Sequence, residues 1–246
     1  MADSGASNGM TSEVINLVNP NSKCESFQNL PVRIRLATGG LLKNNQPIIC
    51  GGQSTVNLEY QDNCYALGKN EVVSKLFLPR CCSASVVIND NILWVTGGFV
   101  KLPGSYEGVS TNTTEFVSLD QTTTLQGPEL TGSNFSYHCM TKINEEIVLS
   151  IGGFTSKNRT LLIDVARDFT MKEGPNLNGG RYGHACGTFQ LNRKNVIIVA
   201  GDDLYNDYEK STEIWDPLSD MGWVKGNKYY IFICLIFTII YLTIQL

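Results

Sequence analysis

The chain has 246 residues, 42% of them hydrophobic and 17% charged, a balance that excludes an intrinsically disordered protein. Its formal net charge is −4 and its basic residues are scattered, which argues against a nucleic-acid partner because nothing would neutralise a phosphate backbone. The eight cysteines include no C-x-x-C pair, so a zinc site is not expected.

The amino-terminal segment has two predicted parts. Residues 1–10 are small and polar, and we expect them to be disordered. They carry no basic n-region and no apolar core, so the amino terminus does not support secretion. The stretch "TSEVINLVNP" at 11–20 aligns with "STEIWDP" at 211–217, and residues 11–24 are therefore predicted to be the outer strand of another repeat unit.

The chain is dominated by a repeat of apolar runs that end in glycine: "PIICGG", "ILWVTGG", "IVLSIGG" and "VIIVAGD". The glycines of these runs are Gly51, Gly52, Gly97, Gly98, Gly152, Gly153 and Gly201. They recur about every 50 residues, a period typical of propeller repeats. At a strand end, glycine reaches positive φ and allows a close backbone approach, so these residues are predicted to be structural.

Each apolar run is the second half of a predicted β-hairpin with a polar, Asn-rich turn, as in "SASVVINDNILWVTGG". A third element follows each glycine run ("NCYALG", "TTEFVSL", "TLLIDVA" and "STEIWDP") and is predicted to be an outer, half-exposed strand. The pattern predicts an all-β protein whose units span 31–68, 79–120, 128–166 and 175–217.

The order of motifs in "GPNLNGGRYGHACGTF…VIIVAGDD…KSTEIWDPLSDMGW" resembles the kelch repeat family. The resemblance covers residues 11–225 and implies a β-propeller of four-stranded blades, about four of them complete. Two departures are visible: Gly201-Asp202 stands in place of a glycine pair, and only Trp223 occupies the outer-strand tryptophan position. Because kelch rings usually have more blades, we expect a partial or truncated propeller.

The two histidines, His138 and His184, occupy the same repeat position. We weigh a metal pair completed by Cys139 and Cys186 against two structural histidines that hydrogen-bond within a blade, and the repeat equivalence favours the structural interpretation. Galactose oxidase shares the kelch propeller, but no matching tyrosine and histidine motifs for a copper site occur. We therefore expect no enzyme activity and no cofactor.

Binding of a protein or peptide partner through the loops between strands is the function that the repeat favours. Tyrosine and arginine are enriched in binding hot spots. The candidate contact residues in these loops are Lys101, Tyr106, Glu107, Arg159, Tyr205 and Tyr208. Intracellular kelch proteins often serve as ubiquitin-ligase adaptors, but no BTB-like segment stands in front of these repeats.

The compartment is left open by conflicting signals. Residues 229–246 are apolar and uncharged, so we weigh a transmembrane helix, which would attach the protein to a membrane, against a non-native end. Without that tail, a cytoplasmic location is expected. Three sequons (Asn112, Asn134 and Asn158) would be used only in the secretory route. There, Cys50 and Cys64 are the closest candidates for a disulfide, and eight free thiols are the alternative.

Overall fold

The structure is a computed structural model, and it describes residues 13–14, 25–26, 29–69, 71–101, 107–119, 123–191, 193–201 and 211–226. This part of the chain is all-β, with one 3-10 turn at Lys43–Asn45. Most of its strands form four antiparallel sheets of four strands each, which we call sheets 1 to 4 in chain order. Within each sheet the strands pair in the order in which they occur in the chain.

The strand bounds repeat the same plan four times. Sheet 1 consists of Thr38–Leu42, Gln46–Cys50, Asn63–Ala66 and Glu71–Lys75. Sheet 2 consists of Ala84–Ile88, Ile92–Thr96, Thr114–Ser118 and Leu125–Gln126. Sheet 3 consists of Cys139–Lys142, Ile147–Ile151, Thr160–Asp164 and Thr170–Glu173. Sheet 4 consists of Ala185–Leu191, Lys194–Ala200, Thr212–Trp215 and Val224–Lys225.

Shorter strands lie outside the four sheets. Glu13–Val14 pairs with Glu25–Ser26, and Ile34–Arg35 pairs with Gln53–Ser54. Phe99–Lys101 pairs with both Gly108–Ser110 and Arg80–Cys81. Of the segment 11–24 that the sequence predicts to be an outer strand, only Glu13–Val14 lies within the described residues.

The hairpin predicted in every unit is confirmed by the pairing of the first and second strands. In sheet 2 the connecting turn places Asn89 and Asp90 at φ values of 49° and 62°. Two consecutive residues with positive φ suit a tight hairpin turn, and asparagine and aspartate tolerate that conformation better than most residues. The polar turn therefore fixes the register of the apolar strands beside it.

The outer strand of each unit differs from the sequence prediction. The third strands are mostly buried, as in Thr114–Ser118 and Thr160–Asp164. A fourth strand covers their edge in every sheet, and it begins beyond the predicted unit ends at residues 68, 120, 166 and 217. These fourth strands are short and largely exposed, so their sequences carry little apolar periodicity.

Three apolar layers hold the four sheets together. Because side chains alternate across a strand, Leu93 and Val95 pack with sheet 1 while their neighbour Trp94 packs with sheet 3. A third layer joins Leu149 and Ile151 of sheet 3 to sheet 4. Burying a side chain of this size contributes about 1.5–3 kcal/mol, so stacking of the sheets is the main stabilising interaction.

The first strands of neighbouring sheets contact one another from sheet 1 through sheet 4. The two end faces of the stack carry apolar clusters of their own. Ile49 and Tyr65 belong to the cluster on sheet 1, and Val196 and Ile198 belong to the cluster on sheet 4. Every sheet in the stack is therefore apolar on both faces.

The described residues contain no helix with the length and apolar character needed to cross a bilayer. The apolar tail at 229–246, which the sequence analysis weighs as a transmembrane helix, lies outside the described residues. So does the segment 1–10 that we expect to be disordered.

Candidate functional site

One end of the stack gathers the connections that the sequence singles out. In every sheet the second strand ends there with its glycines and the third strand begins there, so we call it the diglycine end. The link from each fourth strand to the next sheet also arrives at this end. Antiparallel pairing therefore brings the loops that follow the glycines, at 54–61 and 156–160 and in the described parts of 100–112, to one face.

The backbone N–H groups of the glycines form hydrogen bonds both within their own sheet and to the next sheet. The first glycine donates its N–H to the carbonyl of the residue just before the third strand, at 3.0 Å for Gly97 to Thr113. The second glycine donates to the following sheet, at 2.6 Å for Gly98 to Phe135. The same two bonds recur at Gly51 and Gly52 and at Gly152 and Gly153, while Gly201 makes the bond within its own sheet.

Packing explains why these positions are glycine. A Cβ atom on Gly51 would lie 2.6 Å from the Arg80 carbonyl oxygen, and one on Gly152 would lie 2.6 Å from that of Arg181. A Cβ on Gly97 would clash with the Phe135 carbonyl oxygen. Gly201 has nothing within 4 Å of such an atom among the described residues. The glycines are thus architectural at the contacts between sheets.

A second set of backbone bonds runs across the stack through residues in the left-handed conformation. Leu36, Cys82, Tyr137 and Gly183 have φ values of 56°, 58°, 54° and 65° at equivalent positions. Cys82 donates its N–H to Leu36, Tyr137 donates to Cys82, and Gly183 donates to Tyr137, at 2.8–2.9 Å. Three non-glycine residues hold a strained conformation here because each bond links one sheet to the next.

Two buried ion pairs lie near these backbone bonds, which we call the left-handed ladder. Arg80 is 2.7 Å from Glu115, and Arg181 is 2.7 Å from Glu213. Each arginine also donates to the carbonyl of the first glycine, Gly97 or Gly201.

The carboxylates of these pairs are satisfied by further donors. Glu115 accepts the Phe77 and Leu78 N–H groups, and Glu213 accepts the backbone and side-chain N–H groups of Asn178. Pairing and hydrogen bonding together offset the cost of burying these charges.

Sheets 1 and 3 replace the ion pair by apolar side chains. Phe135 and Leu161 stand at the Arg and Glu positions of sheet 3 and belong to one apolar cluster. Ile34 and Tyr65 do so in sheet 1. Sequence reasoning used these two positions only as parts of the repeat pattern and did not pair them. An arginine and a glutamate occur together at these positions in units 2 and 4 and are both absent from units 1 and 3, and this was the available signal.

The histidines are buried against the preceding sheet. His138 Nε2 is 2.9 Å from Thr96 Oγ1 of sheet 2, so its hydrogen bond crosses between sheets and does not stay within one unit as expected. The His184 ring packs against Gly152 of sheet 3. Burial lowers the pKa of each histidine to about 3, and Arg181 and His138 add to the effect at His184. Both rings are therefore neutral and structural.

The cysteines next to the histidines are not available as metal ligands. Cys139 and Cys186 form a disulfide between sheets 3 and 4. Cys50 and Cys64 form a disulfide across neighbouring strands of sheet 1, the pair that the sequence named as closest. Within the described ranges, His, Cys, Asp and Glu side chains form no group of three that could hold a metal ion.

Four aromatic rings from three consecutive sheets meet at the diglycine end. We call Phe99, Tyr137, Phe154 and Tyr182 the aromatic quartet. The ring centroid of Phe99 lies 5.9 Å from that of Tyr137 and 6.5 Å from that of Phe154. Tyr182 closes the set at 6.1 Å from Tyr137 and 5.4 Å from Phe154. Phe154 is 50% exposed, so the quartet forms part of the surface.

Sequence reasoning missed the quartet because its members come from two kinds of connection. Phe99 and Phe154 directly follow the glycine pairs, whereas Tyr137 and Tyr182 follow the Arg position of the next unit. Only the pairing between sheets brings the two groups together. An aromatic residue directly after Gly-Gly in two units was the available signal.

The candidate contact residues predicted from the sequence differ in their structural environment. Lys101 and Glu107 are exposed at the diglycine end. Arg159 forms an ion pair with Glu173, which occupies its guanidinium. Tyr106, Tyr205 and Tyr208 lie outside the described residues. The structure thus makes the aromatic quartet a better candidate for partner contact than the residues in the loops.

The three sequons differ in exposure. Asn134 is exposed. Asn112 is half-buried and donates to Glu129 and Leu130, and Asn158 is half-buried and donates to the Leu177 carbonyl at 3.5 Å. Asn134 is therefore the most accessible of the three side chains.

Comparison with known proteins identifies a similar fold but no related sequence. No model of a known protein family matches the chain, and no curated protein matches it. Among solved structures, that of YjhT is similar, with a TM-score of 0.70 and 12% sequence identity, covering 89% of this chain and 78% of that chain. At this identity the likeness shows the fold alone, and it agrees with a propeller-like arrangement of the four sheets.

Proposed function

We propose that the chain is a kelch-type β-propeller that binds a protein or peptide partner at its diglycine end, without catalysis. The repeat supports the kelch assignment: the first glycine of the run, the arginine and the glutamate of the third strand meet in one bonded arrangement in sheets 2 and 4. Stacked sheets that are apolar on both faces, with their first strands side by side, are what a ring of blades requires.

The aromatic quartet is the observation that carries the binding proposal. Aromatic side chains supply large contact areas at little cost in conformational entropy and are enriched in binding hot spots. A half-exposed phenylalanine in edge-to-face contact with a tyrosine, with the charged side chains of Lys101 and Lys157 exposed at the same end, is suited to a peptide with apolar and acidic groups. The quartet is held in place by bonds between sheets, so little reorganisation accompanies binding.

Peptide display tests this proposal. Peptides selected on the immobilised chain should bind Phe154→Ser and Tyr182→Ser at least about tenfold more weakly than the unchanged protein, as loss of a hot-spot side chain predicts. Leu218→Ser is the matched control because Leu218 is 82% exposed in the turn at the opposite end of sheet 4. Unfolding midpoints verify that all variants fold. Selected peptides that tolerate both quartet substitutions would contradict the proposal.

A second candidate is a secreted or membrane-attached kelch protein, and the two disulfides favour it. Disulfides form and persist in oxidising compartments and are rare in the cytosol. Expression in eukaryotic cells followed by glycosidase digestion checks it. A mobility shift that Asn134→Gln removes, and that Asn158→Gln leaves, supports this candidate. Absence of any mobility shift would support a cytoplasmic location instead.

A further inference from the structure

Two adjacent thiols remain unpaired at the start of sheet 2. Cys81 and Cys82 are both buried, and their sulfur atoms lie 3.2 Å apart. The other four cysteines among the described residues are joined in disulfides. The chain thus contains a close dithiol alongside two bonds that need an oxidising compartment.

The fold itself turns these two sulfurs towards each other. Consecutive side chains in a strand point to opposite faces, which would separate the thiols. Cys81 is extended and pairs with Phe99, but Cys82 takes the left-handed conformation at φ 58°. The bonds from Cys82 N–H to Leu36 and from Tyr137 N–H to the Cys82 carbonyl hold that conformation. The same ladder that links the sheets therefore creates the dithiol.

The two thiols differ electrostatically. Hydrogen bonding from Cys82, hydrogen bonding from Tyr60 and the charge of Arg35 lower the pKa of Cys81, against the opposing effect of burial. The bond to Cys81 and burial raise the pKa of Cys82, while Tyr137 and Arg35 act in the opposite direction. Burial and Cys81 raise the pKa of Tyr60 to about 12, so its hydroxyl remains a donor. Cys81 is the better nucleophile and Cys82 retains its proton.

We propose that Cys81 and Cys82 form a redox site that closes to a vicinal disulfide by exchange with a small disulfide such as oxidised glutathione. The Cys81 thiolate attacks one glutathione sulfur, forming a mixed disulfide and releasing one glutathione thiolate. Cys82 then attacks the Cys81 sulfur, forms the second bond and releases the other glutathione, and its proton passes to a leaving thiolate. Two protein thiols are oxidised and one glutathione disulfide is reduced to two thiols.

The geometry also makes the closed form easy to reopen. A disulfide bond is about 2.05 Å long, so the sulfurs approach by only about 1 Å. Adjacent α-carbons are about 3.8 Å apart across a trans peptide, below the range that most disulfides span. Such a bond is more readily reduced than an ordinary one. This bond should therefore open at a milder ratio of reduced to oxidised glutathione than the bond between Cys139 and Cys186.

Peptide mapping tests the proposal directly. Trypsin cleaves after Arg80 and Lys101, and the peptide 81–101 contains these two cysteines and no others. The folded chain is equilibrated with glutathione buffers, denatured in iodoacetamide and digested. At oxidising ratios the peptide should carry no alkyl group and should be two hydrogens lighter, and prior reduction should restore two alkyl groups. Two alkyl groups even in a buffer that contains only oxidised glutathione would overturn the proposal.

Substitutions test the assigned roles. Cys82→Ser should trap one glutathione on residue 81, whereas Cys81→Ser should leave residue 82 unmodified. Tyr60→Phe keeps the ring but removes the hydroxyl donor. The disulfide should therefore need a higher pH than in the unchanged protein to close at the same rate. A persistent glutathione adduct in the unchanged protein, or adduct formation at residue 82 in the Cys81→Ser variant, would refute the mechanism.

Discussion

At the scale of single residues, the buried ion pair of sheet 2 has an apolar counterpart within the same chain. Arg80 and Glu115 occupy the positions that Phe135 and Leu161 fill in sheet 3. Removing one partner of a buried pair leaves an uncompensated charge, whereas replacing both by apolar groups is often neutral. The chain thus offers its own template for a double substitution.

We expect Glu115→Leu alone to lower the free energy of unfolding by about 3–5 kcal/mol. The double variant Arg80→Phe with Glu115→Leu should recover most of that loss because no charge remains buried. Urea unfolding of both single variants and the double variant gives the coupling energy. Additive losses would show that the arginine acts mainly through its bonds to the Gly97 and Thr113 carbonyls.

The buried histidines predict a pH dependence of stability. Their pKa is about 3 in the folded chain, against an ordinary value of about 6.5 in the unfolded chain. The unfolded state therefore binds protons first as the pH falls. The contribution is fully present above pH 6.5 and is lost between pH 6.5 and 3, at about 1.4 kcal/mol per pH unit for each histidine.

Replacing both histidines should flatten this dependence. For His138→Asn with His184→Asn, the difference in the free energy of unfolding between pH 7 and pH 5 should shrink by about 4 kcal/mol in total. Urea titrations at the two pH values measure it, and acidic groups elsewhere act equally in both proteins. An unchanged difference would mean that the histidines are charged in the folded state.

At the scale of elements, the glycine exit of each second strand couples one sheet to the next. Gly97 and Gly201 are equivalent positions with positive φ, but only Gly97 contacts the following sheet among the described residues. Gly201→Ala should cost about 1–2 kcal/mol, the price of the left-handed conformation. Gly97→Ala should cost clearly more, because its Cβ meets the Phe135 carbonyl. Thermal unfolding of the two variants compares them, and equal losses would show that no sheet contact is involved.

The strands that the sequence predicts are those with buried, apolar or alternating patterns. "ILWVTGG" and its three relatives are such strands, and the hairpins before them have turn residues that tolerate positive φ. Leu125–Gln126 could not be predicted, since two exposed residues carry no periodicity. The left-handed positions Leu36, Cys82 and Tyr137 were equally hidden, because their residue types do not favour that conformation.

The candidate site was predicted less completely than the fold. The sequence located the loops after the glycines, but the quartet depends on contacts between units that no local pattern records. The Cys139–Cys186 disulfide likewise joins residues whose proximity follows from sheet stacking. Repeat periodicity predicts what lies within a unit, whereas the surface is made between units.

At the scale of the whole molecule, the four stacked sheets form one rigid diglycine end. The glycine bonds, the left-handed ladder and the Cys139–Cys186 disulfide all lie at or near contacts between sheets. They fix the relative positions of Phe99, Tyr137, Phe154 and Tyr182. We propose that a partner binds on this end of the stack.

Amide hydrogen exchange with and without a display-selected peptide tests this proposal. We expect bound peptide to slow exchange in the segments 97–101, 135–138, 152–157 and 181–184, which surround the quartet. Exchange at the opposite hairpin turns, residues 89–91 and 144–146, should be unchanged. Protection confined to those turns, with none around the quartet, would show that the peptide binds at the opposite end of the stack.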